Sequence, residues 1–409
     1  MKMLIIADDL SGAADCAAGC AQTGLRTLVA LDGEADPAGF AVVAVDADSR
    51  RLPAVEAAAA QRALLERWLA SRPSLLYKKI DSTLRGSFAE ELAATRHLTG
   101  MPIIAPAFPA TGRTVVNGQV LVKGVLLQET EIWRNERRAG PAALPDLLRA
   151  AGFEPAVLSL TELRGDSSAV RASFAAHAAA PNRVLICDAE SEDDLARIAQ
   201  GSAPLAGRCQ WVGSGGLMRH LPAAHGLGGQ PVASQRPRRG LSGPVLVVVG
   251  SVSSVSQRQR QQVAQAAQTM TVTIDPNVLR QGANAGDGSW REARQRLLDP
   301  LLADNDLVVT IGGTQPDLRE GPLLAAALAR LLEPARTVVG GLILTGGETA
   351  RAILTGWGVH ALELVGELEA GIPLSYTLDA RPVPVITKAG AFGADDSLAR
   401  AWRLLKFDC

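Results

Sequence analysis

Short runs of β-branched and aliphatic residues, each followed by a polar or glycine-rich segment and then a helical pattern, constrain this chain more than any other feature. The runs lie at 3–7, 41–45, 75–79, 183–187, 245–249, 307–311, 342–345 and 383–387. Between them, stretches at 53–70, 88–97, 191–199, 257–269, 317–332 and 395–405 carry apolar residues at helical spacing. Parallel strands need a crossover, usually a helix, and a parallel sheet needs cover on both faces. The expected fold class is therefore α/β, with two domains that are each a mostly parallel sheet flanked by helices.

Two domains are expected because 409 residues exceed what one core usually supports. The pattern lapses between Gly226 and Gly243, where Gln235-Arg236-Pro237-Arg238-Arg239-Gly240 reads as a solvated linker. This divides the chain into an N-terminal domain at 1–230 and a C-terminal domain at 231–409. No internal repeat is visible.

Composition removes several functions. Lys and Arg number 41 against 42 Asp and Glu, a net charge of -1, and no basic stripe carries aromatics, so a nucleic-acid partner is not expected. The cysteines Cys16, Cys20, Cys187, Cys209 and Cys409 are scattered and odd in number, which fits reduced thiols in a cytoplasmic protein better than a disulfide framework or zinc site. Asp8 ends the first apolar run too early for a signal peptide, and no run approaches the roughly 18 apolar residues of a membrane span.

In open α/β sheets ligands bind beyond the carboxyl ends of the strands. Three such ends in the first half share one chemistry: Asp8, Asp9, Ser11 and Gly12; Asp46, Asp48, Ser49, Arg50 and Arg51; and Lys79, Asp81, Ser82, Thr83, Arg85 and Gly86. Cations suit an anionic ligand and carboxylates suit hydroxyls. Taken singly, Ser11 is as well explained by a helix cap, Arg50 by a surface charge and Lys79–Asp81 by a local ion pair. Strand alternation predicts that only one of Asp8 and Asp9 faces the crevice, and Asp9 is preferred. The segment 106–113, ending in Arg113, either walls the crevice or is only a turn.

The second half repeats a strand, a glycine-rich loop and a helix four times: Gly250-Ser251-Val252-Ser253, Gly312-Gly313-Thr314, Gly346-Gly347-Glu348-Thr349 and Gly390-Ala391-Phe392-Gly393. Such loops expose backbone N–H groups to phosphates, though each alone is also an ordinary tight turn. No Gly-Lys dipeptide occurs, so a Walker-type loop is excluded. Gly213-Ser214-Gly215-Gly216 has Met218 where a dinucleotide fingerprint needs its third glycine, and reads as a turn. The five histidines form no ligand-spaced group.

On Ala7-Asp8-Asp9-Leu10-Ser11-Gly12-Ala13, Ser49-Arg50, Lys78-Lys79-Ile80-Asp81-Ser82-Thr83-Leu84-Arg85-Gly86, Gly112-Arg113, Gly250-Ser251-Val252-Ser253, Gly346-Gly347-Glu348-Thr349 and Lys388-Ala389-Gly390, the chain resembles the four-carbon acid-sugar kinase family. Members phosphorylate threonate, erythronate or 3-oxo-tetronate. The resemblance implies a sugar acid held by Asp9, Arg50, Lys79, Ile80, Asp81, Ser82 and Arg85. It implies ATP held by Ser251, Ser253, Gly346, Gly347, Glu348, Thr349 and Gly390.

The expected reaction is ATP-dependent transfer to the 4-hydroxyl. Asp9 or Asp81 would act as base, Arg50 and Lys79 would fix the substrate carboxylate, and Glu348 or Asp396 are candidates for Mg²⁺. Closure of the two domains would exclude water. Assembly into a homo-oligomer is left open. A nicotinamide-dependent hydroxy-acid oxidoreductase and a non-catalytic sugar-acid sensor are the rival readings.

Overall fold

The computed structural model describes residues 1–135, 142–180, 182–228, 241–282, 288–313, 320–390 and 392–408. The basic stretch at 235–240, Thr314, the first residues of the helix expected at 317–332, Ala391 and Cys409 lie outside them. The chain divides into two compact units, Met1–Val29 with Asp36–Val232, and Ala30–Ala35 with Ala233–Cys409.

The first unit is built on β1 (Met3–Ala7), β2 (Thr27–Ala30), β3 (Val42–Asp46), β4 (Leu75–Lys79) and β5 (Met101–Ala105). A small antiparallel sheet of β6 (Arg113–Val116), β7 (Gln119–Val122) and β8 (Val125–Leu126) follows. The main sheet is completed by β9 (Glu154–Leu158), β10 (Arg183–Cys187) and β11 (Cys209–Gly213). Its strand order is β2-β3-β1-β4-β11-β5-β10-β9. β1 is parallel to both β3 and β4, and the chain passes from one side of β1 to the other after β3. The carboxyl end of β1 is thus a topological switch point, where ligand crevices form.

β1, β3 and β4 are buried along their whole length, as strands covered on both faces must be. The helix Leu10–Ala21 that covers one face is mostly alanine, glycine and cysteine, so it lies close to the sheet and is itself largely buried. The opposite side carries Ala54–Leu69 and Phe88–Thr95.

The second unit has β12 (Val245–Val249), β13 (Met270–Ile274), β14 (Leu307–Ile311), β15 (Gly341–Thr345), β16 (Ala361–Glu369), β17 (Ile372–Thr377) and β18 (Pro384–Lys388). Their order is β13-β14-β12-β15-β18-β17-β16, parallel except for the β16–β17 and β17–β18 pairs. β12 occupies the place that β1 holds in the first unit, again flanked by strands reached before and after a reversal. Val245, Val247, Ile343 and Ile386 pack with Leu398 and Trp402 to form a core in this unit.

Both units are α/β with mostly parallel sheets, as the alternating pattern requires. Gly213 is the last residue of β11, and Gly215–Met218 forms a short helix capped by Ser214, so the near-miss glycine motif is a strand-to-helix junction rather than a plain turn. Among the described residues no helix is long and apolar enough to cross a membrane.

Candidate functional site

At the end of β1 the chain turns into the helix Leu10–Ala21, and Asp9 caps it by accepting from Gly12 N at 2.8 Å. Asp8 and Asp9 both meet Arg50. The Arg50 Nε and Nη2 donate to the two Asp8 carboxylate oxygens at 2.8 Å each, Nη2 also donates to Asp9 Oδ1 at 2.9 Å, and Nη1 donates to Asp9 Oδ2. The expectation that only one aspartate turns inward therefore fails. Strand pairing stops at Ala7, so strict alternation no longer governs residues 8 and 9.

Beyond β4, Asp81 receives Arg85 through Nε at 3.0 Å and through Nη2, while its other oxygen accepts from Thr83 N at 2.7 Å and from the Thr83 hydroxyl. Arg50 Nη1 lies 3.7 Å from Asp81 Oδ2, which ties the three strand ends together. Burial alone would raise the Asp81 carboxyl, but Arg85 and Arg50 hold it well below the usual carboxylate range. Burial would likewise raise Asp8, and Arg50 outweighs it. Lys79, only 6% exposed, would be pushed down by burial but is held above its ordinary value by charges that include Asp8 and Asp9.

Gly86 closes this cluster. Its φ of +83° is left-handed, and a Cβ there would stand 3.2 Å from Asp8 Oδ2 and 3.5 Å from Arg50 Cα, so glycine alone fits without displacement. Of the other expected residues, Ser82 is partly buried beside Asp81, whereas Ile80 is buried and contributes its N–H to Gly213 O at 2.8 Å.

A second network lies behind the first and was not read from the sequence. Alternation sends Lys78 to the face opposite Lys79, and its side chain is fully buried. Lys78 Nζ bonds Gln61 Oε1 at 2.8 Å and pairs with Glu91 Oε2 at 2.7 Å, while the Ser49 hydroxyl donates to Glu91 Oε1. Ser49 precedes Arg50, so this buried group fixes the segment that presents the guanidinium. The available signal was a lysine doublet in an otherwise apolar strand, because one of the two must find a buried partner.

In the second unit the loops after β12, β15 and β18 come from three adjacent strands and interlock. Gly250 N donates to Thr345 O at 3.1 Å and Gly346 N to Lys388 O at 2.9 Å. Ser253 caps Ser254–Ala266, and the Ser253 and Ser256 hydroxyls both reach Gly390 O, at 2.8 and 2.7 Å. Ser251 Oγ bonds Ser253 Oγ at 3.2 Å, and Thr349 is buried against Gly250. Gly346, at φ +88°, opens the helix Gly347–Gly356, whose first turn holds Gly347, Glu348 and Thr349. A phosphate group would meet N–H groups from this helix start.

Lys388 underlies the β18 loop. It is 2% exposed and donates to the carbonyls of Ala389, Gly390 and Phe392 at 2.9, 3.0 and 3.0 Å. These three bonds hold the loop carbonyls inward. Burial pushes the ammonium down to about 8, opposed by Glu369.

For Mg²⁺, no three His, Cys, Asp or Glu side chains converge among the described residues. Nucleotide-bound Mg²⁺ generally takes only one or two protein carboxylates, the rest of its shell coming from phosphates and water. Glu348 lies in the first turn of the helix that follows Gly346, and Asp396 directly precedes Ser397–Arg403 without a side-chain capping bond, with Arg400 Nη1 3.7 Å away.

Residues 3–221 match the sugar-binding N-terminal domain and residues 246–398 the nucleotide-binding C-terminal domain. A D-threonate kinase of Cupriavidus necator is 46% identical over 417 aligned residues, 99% of this chain and 98% of that protein. A D-threonate kinase of Bordetella bronchiseptica is 33% identical, with 98% and 97% covered, and a D-erythronate kinase of Heliobacterium modesticaldum is 29% identical, with 97% and 95% covered. A solved chain from Salmonella typhimurium LT2, 24% identical with 98% and 99% covered, shares the fold at a TM-score of 0.81. Identity of this extent along both domains leaves one conclusion: the chain belongs to the four-carbon acid-sugar kinase family and is a small-molecule kinase.

Proposed function

We propose that the protein transfers the γ-phosphoryl group of ATP to the 4-hydroxyl of a four-carbon sugar acid, with D-threonate the leading substrate and D-erythronate and 3-oxo-tetronate the alternatives. The observation that carries the reading is the Arg50-centred cluster of Asp8, Asp9 and Asp81 at the β1 switch point. The first unit then holds the acceptor through Asp9, Arg50, Lys79, Ile80, Asp81, Ser82 and Arg85. The second holds ATP through Ser251, Ser253, Gly346, Gly347, Glu348, Thr349 and Gly390.

Asp9 is assigned the acceptor proton. Both Asp81 oxygens are engaged by Arg85 and Thr83, and its depressed pKa makes it a weak base. Both Asp8 oxygens meet Arg50. Both Asp9 oxygens also meet Arg50, but the Asp9 side chain is 21% exposed against 4% for Asp8, so it can be reached by a substrate hydroxyl. As the substrate oxygen bonds to the γ-phosphorus, the bond to the β,γ-bridging oxygen breaks, ADP leaves and the hydroxyl proton passes to Asp9. Glu348 or Asp396 would help the phosphates hold Mg²⁺, which would supply charge neutralisation.

A coupled ADP-release assay across the three acids, with and without Mg²⁺, tests the reading, and ³¹P–¹H coupling in the product identifies the phosphorylated carbon. Absence of ADP release with every four-carbon acid would overturn it.

Two further outcomes are expected of the nucleotide site. Gly346→Val places a branched side chain at φ +88°, with its Cβ 3.5 Å from Ser251 N. The strain of about 1–3 kcal/mol and the blocked amide face should weaken ATP binding roughly 10- to 100-fold by calorimetry. Binding of the sugar acid should be unchanged.

The second concerns pH. A bound triphosphate favours the charged form of Lys388, so ATP binding takes up a proton once the free protein has released it. Affinity should therefore fall as pH rises through about 8. The loss between pH 7 and 9 should be roughly three- to tenfold, and Lys388→Met should show weaker binding without this dependence.

A further inference from the structure

Three carboxylates of the acceptor cluster, Asp8, Asp9 and Asp81, face three cations, Arg50, Lys79 and Arg85. Arg113 stands outside that balance. Among the described residues no carboxylate lies within ion-pair distance of it, its Nε is buried without a hydrogen-bond partner, and Nη1 donates to Thr111 O at 2.6 Å. The loop that presents it is closed. It leaves the carboxyl end of β5, turns through Pro109–Thr111 and left-handed Gly112, and is clamped by Phe108 N to Arg113 O at 2.8 Å and Arg113 N to Phe108 O at 3.1 Å. β5 runs parallel to β11 and β11 to β4, so this loop leaves the same sheet edge as Asp81 and Arg85, whose charges reach the guanidinium. An additional anion there would relieve a partly buried charge.

Of the two cations expected to fix the substrate carboxylate, Arg50 is the less available. Arg50 carries five N–H groups, and four are engaged by Asp8 and Asp9, so it cannot present a two-pronged grip. We propose that Arg113 receives the carboxylate of the sugar acid and sets the preference for acids over neutral polyols. The inference rests on the acceptor reading given above and adds the residue that selects the acid.

The test measures binding of D-threonate and of its neutral amide to the full chain by calorimetry, in wild type, Arg113→Met and Arg113→Lys, alongside KM for D-threonate and for ATP. Wild type should prefer the acid over the amide roughly 10- to 100-fold, the range of a charge-assisted pair. Arg113→Met should abolish that preference and raise KM for the acid by the same factor, with KM for ATP unchanged. Arg113→Lys should recover part of it. If Arg113→Met does not fold, Arg113→Gln takes its place.

Retention of the acid preference in the neutral variants would overturn the inference, as would equal loss of acid and amide, which marks a structural role. A wild type that binds no four-carbon acid would instead remove the acceptor reading, and this inference with it.

Discussion

The Asp9→Asn protein is expected to bind both substrates and to turn over roughly 10²- to 10⁴-fold more slowly, the range of a lost general base. Asparagine keeps the Oδ1 acceptor, so the bond from Gly12 N that starts the first helix is preserved. What disappears is the negative charge of the most exposed aspartate of the cluster, 21% against 4% for Asp8 and 10% for Asp81. The loss should therefore fall on kcat, with KM for ATP unchanged and the melting temperature close to wild type. The conversion leaves Arg50 facing one carboxylate fewer, so some weakening of sugar-acid binding accompanies the rate loss. A kcat within threefold of wild type would remove Asp9 as the base and return the role to Asp81.

The second large effect is on stability. Removing the Glu91 carboxylate by Glu91→Ala leaves the Lys78 ammonium at zero exposure with only Gln61 as partner, and frees the Ser49 hydroxyl. An uncompensated buried charge of this kind typically costs about 3–5 kcal/mol, which denaturant unfolding would detect directly. The paired change Lys78→Met with Glu91→Leu should recover most of that loss, since replacing a whole buried ion pair with apolar side chains is often neutral or stabilising.

The double variant distinguishes stability from function. If the pair exists to hold Ser49 and thereby Arg50, the double variant should fold normally yet show lower kcat/KM for the sugar acid. Full activity in a stable double variant would reduce the pair to a packing feature.

Much of the architecture was legible in one dimension because strand and helix periodicities are local. The runs at 3–7 and 75–79 are β1 and β4 to the residue, and the helical pattern at 53–70 becomes Ala54–Leu69. Elements whose meaning depends on partners were less visible. The β16–β17 hairpin carries register shifts and half-buried residues, and the small sheet of β6–β8 is too short for alternation to stand out.

By itself the sequence determined that the chain is α/β, that polar clusters close its N-terminal strands, that glycine loops close its C-terminal ones, and which family it resembles. Each of these is a property of neighbours along the chain. Only the tertiary structure decided which charges neutralise one another. Arg50 is joined to Asp8 and Asp9 across more than forty positions, Lys78 to Glu91 from strand to helix, and Arg113 is left without a carboxylate among the described residues. Coulomb energy depends on separation in space and on burial, and neither quantity is written in residue order.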